Sequence, residues 1–309
     1  MKQLGGYLKQ YYVEVIEPSR LRWLMPVFFI VILTSLEYSL QIEKTLFPRG
    51  QVFWKGFLSH LTYYSLAWFT VWALMKPSVH SCVYWRNWVP FLLFGMAIYA
   101  TRCAFNGHYN WLTQHASRWD TNTYYFYWFT AAQWVQALSI IVPLGLLGWL
   151  GQKRLAVFHG LRPSNMKPYL FLLMLASLIV IPAAMQDDFG AFYPRFMRMW
   201  PQGGDLQTER VLLFEISYAL DFYATEYFFR GFLVLAFVRI LGPTAILPMA
   251  VVYVMIHFGK PLGETISSFF GGMLLGIFSY YSRSIWGGIL LHIGLAWMME
   301  LAGYFIHHR

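Results

Sequence analysis

Glu226, Arg230, His257 and His292 are ionisable residues set inside apolar sequence. ATEYFFRGFL holds the first two, VVYVMIHFG the third and GGILLHIGLAW the last. A carboxylate and an imidazole brought together are a common means of activating a water molecule. A charged side chain at bilayer depth costs roughly 3 kcal/mol or more, so such residues usually mark a function. Glu226 and Arg230 are four apart and share one helix face. A neighbouring guanidinium keeps a buried glutamate ionised, as a base must be. The same pair also serves as an ion pair that only fixes helix packing. Glu215, about three turns before Glu226 on the same helix, is a second carboxylate or a packing partner. Each histidine taken singly is equally an interhelical hydrogen-bond donor. Taken together, the four point to hydrolysis. A zinc site on Glu226, His257 and His292, with a position left open for water, is the alternative. No HExxH pattern supports it, and no other metal or cofactor is expected.

The elements that must position these groups are membrane helices. The chain has 309 residues, 58% of them hydrophobic and 12% charged, with a mean hydropathy of +0.46. Ordinary soluble domains carry about 25% charge. The apolar residues come in long runs and do not alternate, which argues against a β-barrel. The expected fold is therefore all-α and polytopic, with about eight or nine spans of ~20 residues. They fall near 24–41, 57–75, 88–105, 125–150, 169–186, 211–240, 243–258, 264–281 and 285–306. The 211–240 stretch exceeds one span and is expected to tilt or to break near Gly231. Gly271, Gly272 and Gly276, then Gly287, Gly288 and Gly294, give small-residue faces that let helices approach closely in lipid. Such packing brings distant side chains to one point. Residues 1–20 lack the apolar core of a signal peptide. With Tyr7, Tyr11, Tyr12, Val15 and Ile16 beside Lys2 and Lys9, they are expected to lie on the membrane surface.

Loop charges set the orientation. Lys2, Lys9, Arg20, Arg22, Lys76, Arg86, Lys153, Arg154, Arg162 and Lys167 fall on one side of the expected spans. Lys44, Arg49, Lys55, Arg118, Arg195, Arg198 and Arg210 fall on the other. This bias places the N-terminus in the cytoplasm. A basic inner face meeting anionic lipid accounts for the net charge of +9, and no nucleic-acid motif is present, so nucleic acid is not an expected partner. Cys82 and Cys103 fit no metal or redox spacing and are taken as small apolar residues. The stretch 187–210 is an interfacial connector, with a lid as the alternative. Asn106, His108, Asn110 and His115 form a polar cluster that reads as a loop. Two parts are expected: 1–168, helices of unassigned role, and 169–309, which bears the motifs.

Over about residues 170–306 the chain resembles the CAAX-protease and bacteriocin-processing family (CPBP, or Abi). Its three motifs are EExxxR, FxxxH and HxxxN or HxxxD. Thr225-Glu226-Tyr227-Phe228-Phe229-Arg230 is similar to the first, Tyr253 to His257 to the second with Tyr for Phe, and His292 to Ala296 to the third. The intervening FFGGMLLGIFSYYSRSIWGGILLH resembles the family's glycine-rich helix, turn and final helix. The resemblance implies an intramembrane endopeptidase in which a glutamate and a histidine activate water, while a second histidine and an asparagine hold the oxyanion. It implies a membrane-associated or lipidated protein substrate, some of them prenylated CAAX termini, and a bacterial inner membrane as the location. Many members are labelled metalloproteases, with a metal-free glutamate mechanism as the competing view. On this pattern Glu226 is the expected base, with His257 helping to place the water. His292 holds the oxyanion, and Arg230 keeps Glu226 charged. Two positions depart from it. The family's first glutamate falls on Thr225, and the third motif ends in Ala296. Either Glu226 has taken over the base, helped by a break or π-bulge near Tyr223–Glu226, or the chain is a catalytically impaired membrane scaffold. Glu264, just after His257, is taken as a solvated loop charge, with the cavity mouth as its other place.

Overall fold

The computed structural model describes residues 2–47, 52–75, 85–150, 160–260 and 262–307. Cys82 and the loop charges Arg49, Lys76, Lys153 and Arg154 lie outside the described residues. Ten helices carry the architecture. They are α1 (Lys2–Tyr11), α2 (Arg20–Leu40), α3 (Phe53–Met75), α4 (Trp85–Ala104), α5 (Thr121–Leu150), α6 (Lys167–Ala184), α7 (Thr208–Glu226), α8 (Ile246–Met255), α9 (Leu262–Ser282) and α10 (Trp286–His307). No strand forms among the described residues.

Among the described residues, six helical stretches are long and apolar enough to cross a membrane: Trp23–Leu40, Trp88–Gln114, Thr121–Leu150, Lys167–Ala184, Leu262–Ser282 and Trp286–Ile306. Gly242–Met255 is a shorter apolar stretch. The protein is an integral, polytopic helical membrane protein. The expected spans at 57–75 and 211–240 are helical too, as α3 and α7, but polar residues dilute them: Lys55, His60 and Thr62 in one, Glu209, Glu215, Asp221 and Glu226 in the other. Both turn a face inward, with Trp68 and Val71 of α3 and Phe214, Ser217 and Glu226 of α7 buried. Helices such as α6 expose Met174, Leu178 and Ile179 outward, as lipid contact requires, and keep their backbone bonds internal.

The long 211–240 stretch does not stop at Glu226. It continues through a π-turn, Tyr227–Phe232, where the Leu233 N–H donates to the Phe228 carbonyl at 2.9 Å. A short 3₁₀ segment, Leu235–Phe237, leads on to the chain reversal at Gly242, whose φ of +58° suits glycine. The expected irregularity is therefore real and sits just beyond Glu226. Helix association in lipid rests on close packing rather than on expelling water, and the glycines provide it. A Cβ at Gly272 would lie 3.0 Å from the Tyr253 ring, and one at Gly276 2.7 Å from Met249, so α9 sits directly on α8. Gly294 admits Leu173 of α6 against α10 in the same way.

The earlier helices brace this arrangement. From α2, the Tyr38 hydroxyl donates to the Lys260 carbonyl, and on α9 the Thr265 hydroxyl donates to the His257 carbonyl at 2.7 Å. These two bonds hold the turn after α8. At the other end of α9, Tyr281 stacks on Tyr7 of α1 at 5.6 Å, and its hydroxyl donates to Glu14 at 2.9 Å. The N-terminal segment buries Leu4, Tyr11 and Val15 and leaves Tyr12 exposed. Its apolar side thus faces the bundle.

Candidate active site

Glu226 closes the last α-turn of α7, and Arg230 lies four residues on, within the π-turn. Both side chains are fully buried. Arg230 Nη1 donates to Glu226 Oε1 at 2.9 Å. His292, in the second turn of α10, places Nδ1 2.8 Å from the same oxygen. Two donors converging on Oε1 fit a carboxylate, and they assign the His292 proton to Nδ1. Nε2 then carries a lone pair, which accepts from the Tyr253 hydroxyl at 2.9 Å. Gly288, one turn before His292, makes this possible. A Cβ there would sit 2.3 Å from Glu226 Oε2. The Arg230 guanidinium also lies over the Tyr253 ring, 4.4 Å from its centroid, a favourable cation–π placement away from water.

His257 occupies the turn beyond α8. Its Nδ1 is 2.8 Å from the Tyr253 carbonyl, so Nδ1 carries the proton and Nε2 is left as an acceptor. An imidazole in this tautomer presents Nε2 as a good acceptor.

Tyr253, His257 and His292 form the polar end of a cavity of about 830 Å³, within the range of small-molecule sites. Its walls are mainly apolar, with aliphatic side chains from three helices: Leu172, Leu175 and Ile179 from α6, Leu274 and Leu275 from α9, Leu291 and Leu295 from α10. Lys260 and Glu264 also line it and are ion-paired at 2.6 Å. Glu264 is thus part of the cavity wall and not a free loop charge. The 187–210 stretch is more than a connector as well. Phe189, Phe192 and Tyr193 line the cavity. The segment is pinned by Glu300, whose Oε2 accepts from the backbone N–H of Arg195 at 2.7 Å and of Phe196 at 3.3 Å. Arg195 also donates to the Tyr218 hydroxyl at 3.1 Å.

The fold brings Glu226, Arg230, His257 and His292 into one neighbourhood but gives them unequal access. Neither Glu226 nor Arg230 lines the cavity. Direct contact between Glu226 and a cavity water is not offered here, because Oε1 is engaged twice and Oε2 faces Gly288. His292 has no proton on Nε2 to give an oxyanion. Thr225 turns its hydroxyl to the Asp221 carbonyl at 2.9 Å, and Ala296 lines the cavity with a methyl group. Glu215 does not line the cavity, and Asn106, His108, Asn110 and His115 belong to the separate region around the helix Gly107–Gln114. The three candidate zinc ligands do not fit a metal in this arrangement. Both nitrogens of His292 are engaged, Glu226 is screened, and no group of three His, Cys, Asp or Glu forms a metal-like set among the described residues. Sequence reasoning passed over the Tyr253 hydroxyl, the Gly288 contact and Glu300. Glu300 alone carried a visible signal, a carboxylate inside the final apolar run.

Residues 208–298 match the family model described as Rce1-like, type II CAAX prenyl endopeptidase Rce1-like. The match begins at the first residue of α7 and ends in α10, enclosing every residue of the cluster. Searches of curated proteins and of solved structures returned no match. Over residues 208–298, less than a third of the chain, the protein is thus similar to the Rce1-like type II CAAX prenyl endopeptidases.

Proposed function

We propose that the chain is an intramembrane endopeptidase that cuts a lipidated or otherwise membrane-associated protein, its prenylated class among them. The observation that carries this reading is a mainly apolar cavity that ends on two imidazoles, one of them backed by a buried carboxylate. Apolar walls suit a lipid chain or apolar peptide, and the polar end suits the scissile bond. His292 is the base in this proposal: Glu226 fixes its tautomer and stabilises the charge it gains, as a buried carboxylate does behind a catalytic histidine. Arg230 anchors Glu226 and keeps it ionised. His257 accepts a hydrogen bond from the attacking water at Nε2 and so orients it. No metal takes part. Residues 169–309 carry the chemistry, residues 1–168 brace it, and the N-terminus lies in the cytoplasm, in a bacterial inner membrane.

The test compares peptide termini in membranes from cells making wild type, Glu226→Gln or His292→Ala at equal abundance. A small set of termini present with wild type and lost in both variants is expected, and it names the substrate. Identical termini in all three sink the protease reading. One observation favours a second reading. Thr225, where the family carries its first glutamate, hydrogen-bonds its own helix. If termini are identical and a partner co-purifies equally with wild type and Glu226→Gln, the chain is a membrane scaffold.

A further inference from the structure

We infer that the Tyr253 hydroxyl is a catalytic group: it covers the base while the cavity is empty and donates to the oxyanion once a peptide carbonyl arrives. The inference rests on the protease reading above. Tyr253 has one phenolic proton, and the structure directs it to His292 Nε2 at 2.9 Å. The same residue lines the cavity. Its ring is held on two sides, by the Gly272 face of α9 and by the Arg230 guanidinium at 4.4 Å. What remains free is rotation of the hydroxyl about its C–O bond. Of the motif residues that line the cavity, Tyr253 alone has a side-chain proton placed at the base. His292 has its proton on Nδ1, His257 donates to the Tyr253 carbonyl, and Ala296 has none to give.

The steps balance as follows. A substrate carbonyl accepts the Tyr253 O–H, which leaves Nε2 of His292 uncovered. Water adds to the carbonyl carbon, forming a C–O bond. The carbonyl π pair moves to oxygen, and the water proton passes to His292 Nε2. The C–N bond then breaks as that proton moves to the departing nitrogen, and the carbonyl reforms. Tyr253 keeps its proton throughout and supplies a hydrogen bond only.

The experiment uses full-length protein in proteoliposomes. The probe is an internally quenched peptide built on the cut mapped with wild type and Glu226→Gln. Tyr253→Phe should lower kcat by about 10²–10³, the usual effect of removing one oxyanion donor, with KM little changed. 2,3,5-Trifluorotyrosine at position 253 keeps the ring shape and makes the phenol more acidic. It should retain cleavage but move the alkaline limb of the pH profile to lower pH, which a purely structural hydroxyl would not do. Cleavage by Tyr253→Phe at the wild-type rate overturns this role and leaves the protease intact. If no wild-type-dependent cut exists to build the probe on, the protease reading and this role fall together.

Discussion

Gly288→Ala is the smallest change that addresses the buried carboxylate. The added Cβ would lie 2.3 Å from Glu226 Oε2 and 3.1 Å from Cδ, where ordinary contact begins at 3.4 Å. The carboxylate must therefore retreat by about 1 Å. Its bonds to His292 and Arg230, now 2.8 and 2.9 Å, then stretch beyond useful hydrogen-bond length. A displacement of that size costs on the order of 100-fold in rate. Stability should change less. Alanine gains about 1 kcal/mol over glycine in a helix, and overpacking costs about 1–3 kcal/mol. The assay is cleavage of the mapped peptide in proteoliposomes, with the thermal midpoint followed in detergent. Gly271→Ala is the control, since a Cβ there meets nothing within 4 Å although the residue lines the cavity. Wild-type cleavage by folded Gly288→Ala, with Gly271→Ala unchanged, would show that the placement of Glu226 does not matter and would refute the carboxylate–imidazole assignment.

Three further outcomes are expected. Arg230→Met leaves Glu226 as an uncompensated buried charge and should cost about 3–5 kcal/mol. Adding Glu226→Gln should recover much of the lost thermal midpoint, and an equally destabilised double variant would speak against the pairing. Glu300→Ala removes the acceptor for two backbone N–H groups of the 195–199 turn, a capping loss of about 1–2 kcal/mol. Trypsin should then nick at Arg195 or Arg198 sooner than in wild type, and unchanged nicking would mean that the segment is held by other contacts. Treatment with 1,10-phenanthroline should leave cleavage of the mapped peptide unchanged, whereas loss of activity that zinc restores would bring back a metal mechanism.

The parts legible in the sequence were those governed by local spacing. Glu226 and Arg230 had to share a face because they are four apart, and they do. The glycines of α9 and α10 predicted close contacts, and Gly272, Gly276, Gly288 and Gly294 make them. Long-range pairings were not legible. Nothing local says that His292 meets Glu226 rather than the cavity water, or that Tyr253, first noticed as a substitute for phenylalanine, aims its hydroxyl at His292. The helices expected at 57–75 and 211–240 form as α3 and α7, but which neighbours shield their polar residues was not legible in the spacing. The role of 187–210 depended on Glu300, a clamp about a hundred residues downstream.

The π-turn at Tyr227–Phe232 also governs how the earlier helices seat. One additional residue in a turn sets every later side chain about 100° round the axis. Phe232 is thereby presented to Phe91 at 5.1 Å and to Gly95, where a Cβ would fall 1.9 Å from its ring, and Phe237 is presented to Trp88 at 6.5 Å. The same winding that accommodates Arg230 beside Glu226 thus cuts the key for which α4 is the lock. In chimeras that exchange the first 168 residues between relatives, compatibility should follow the residue at position 95 and the length of the 227–232 turn far more closely than overall sequence identity.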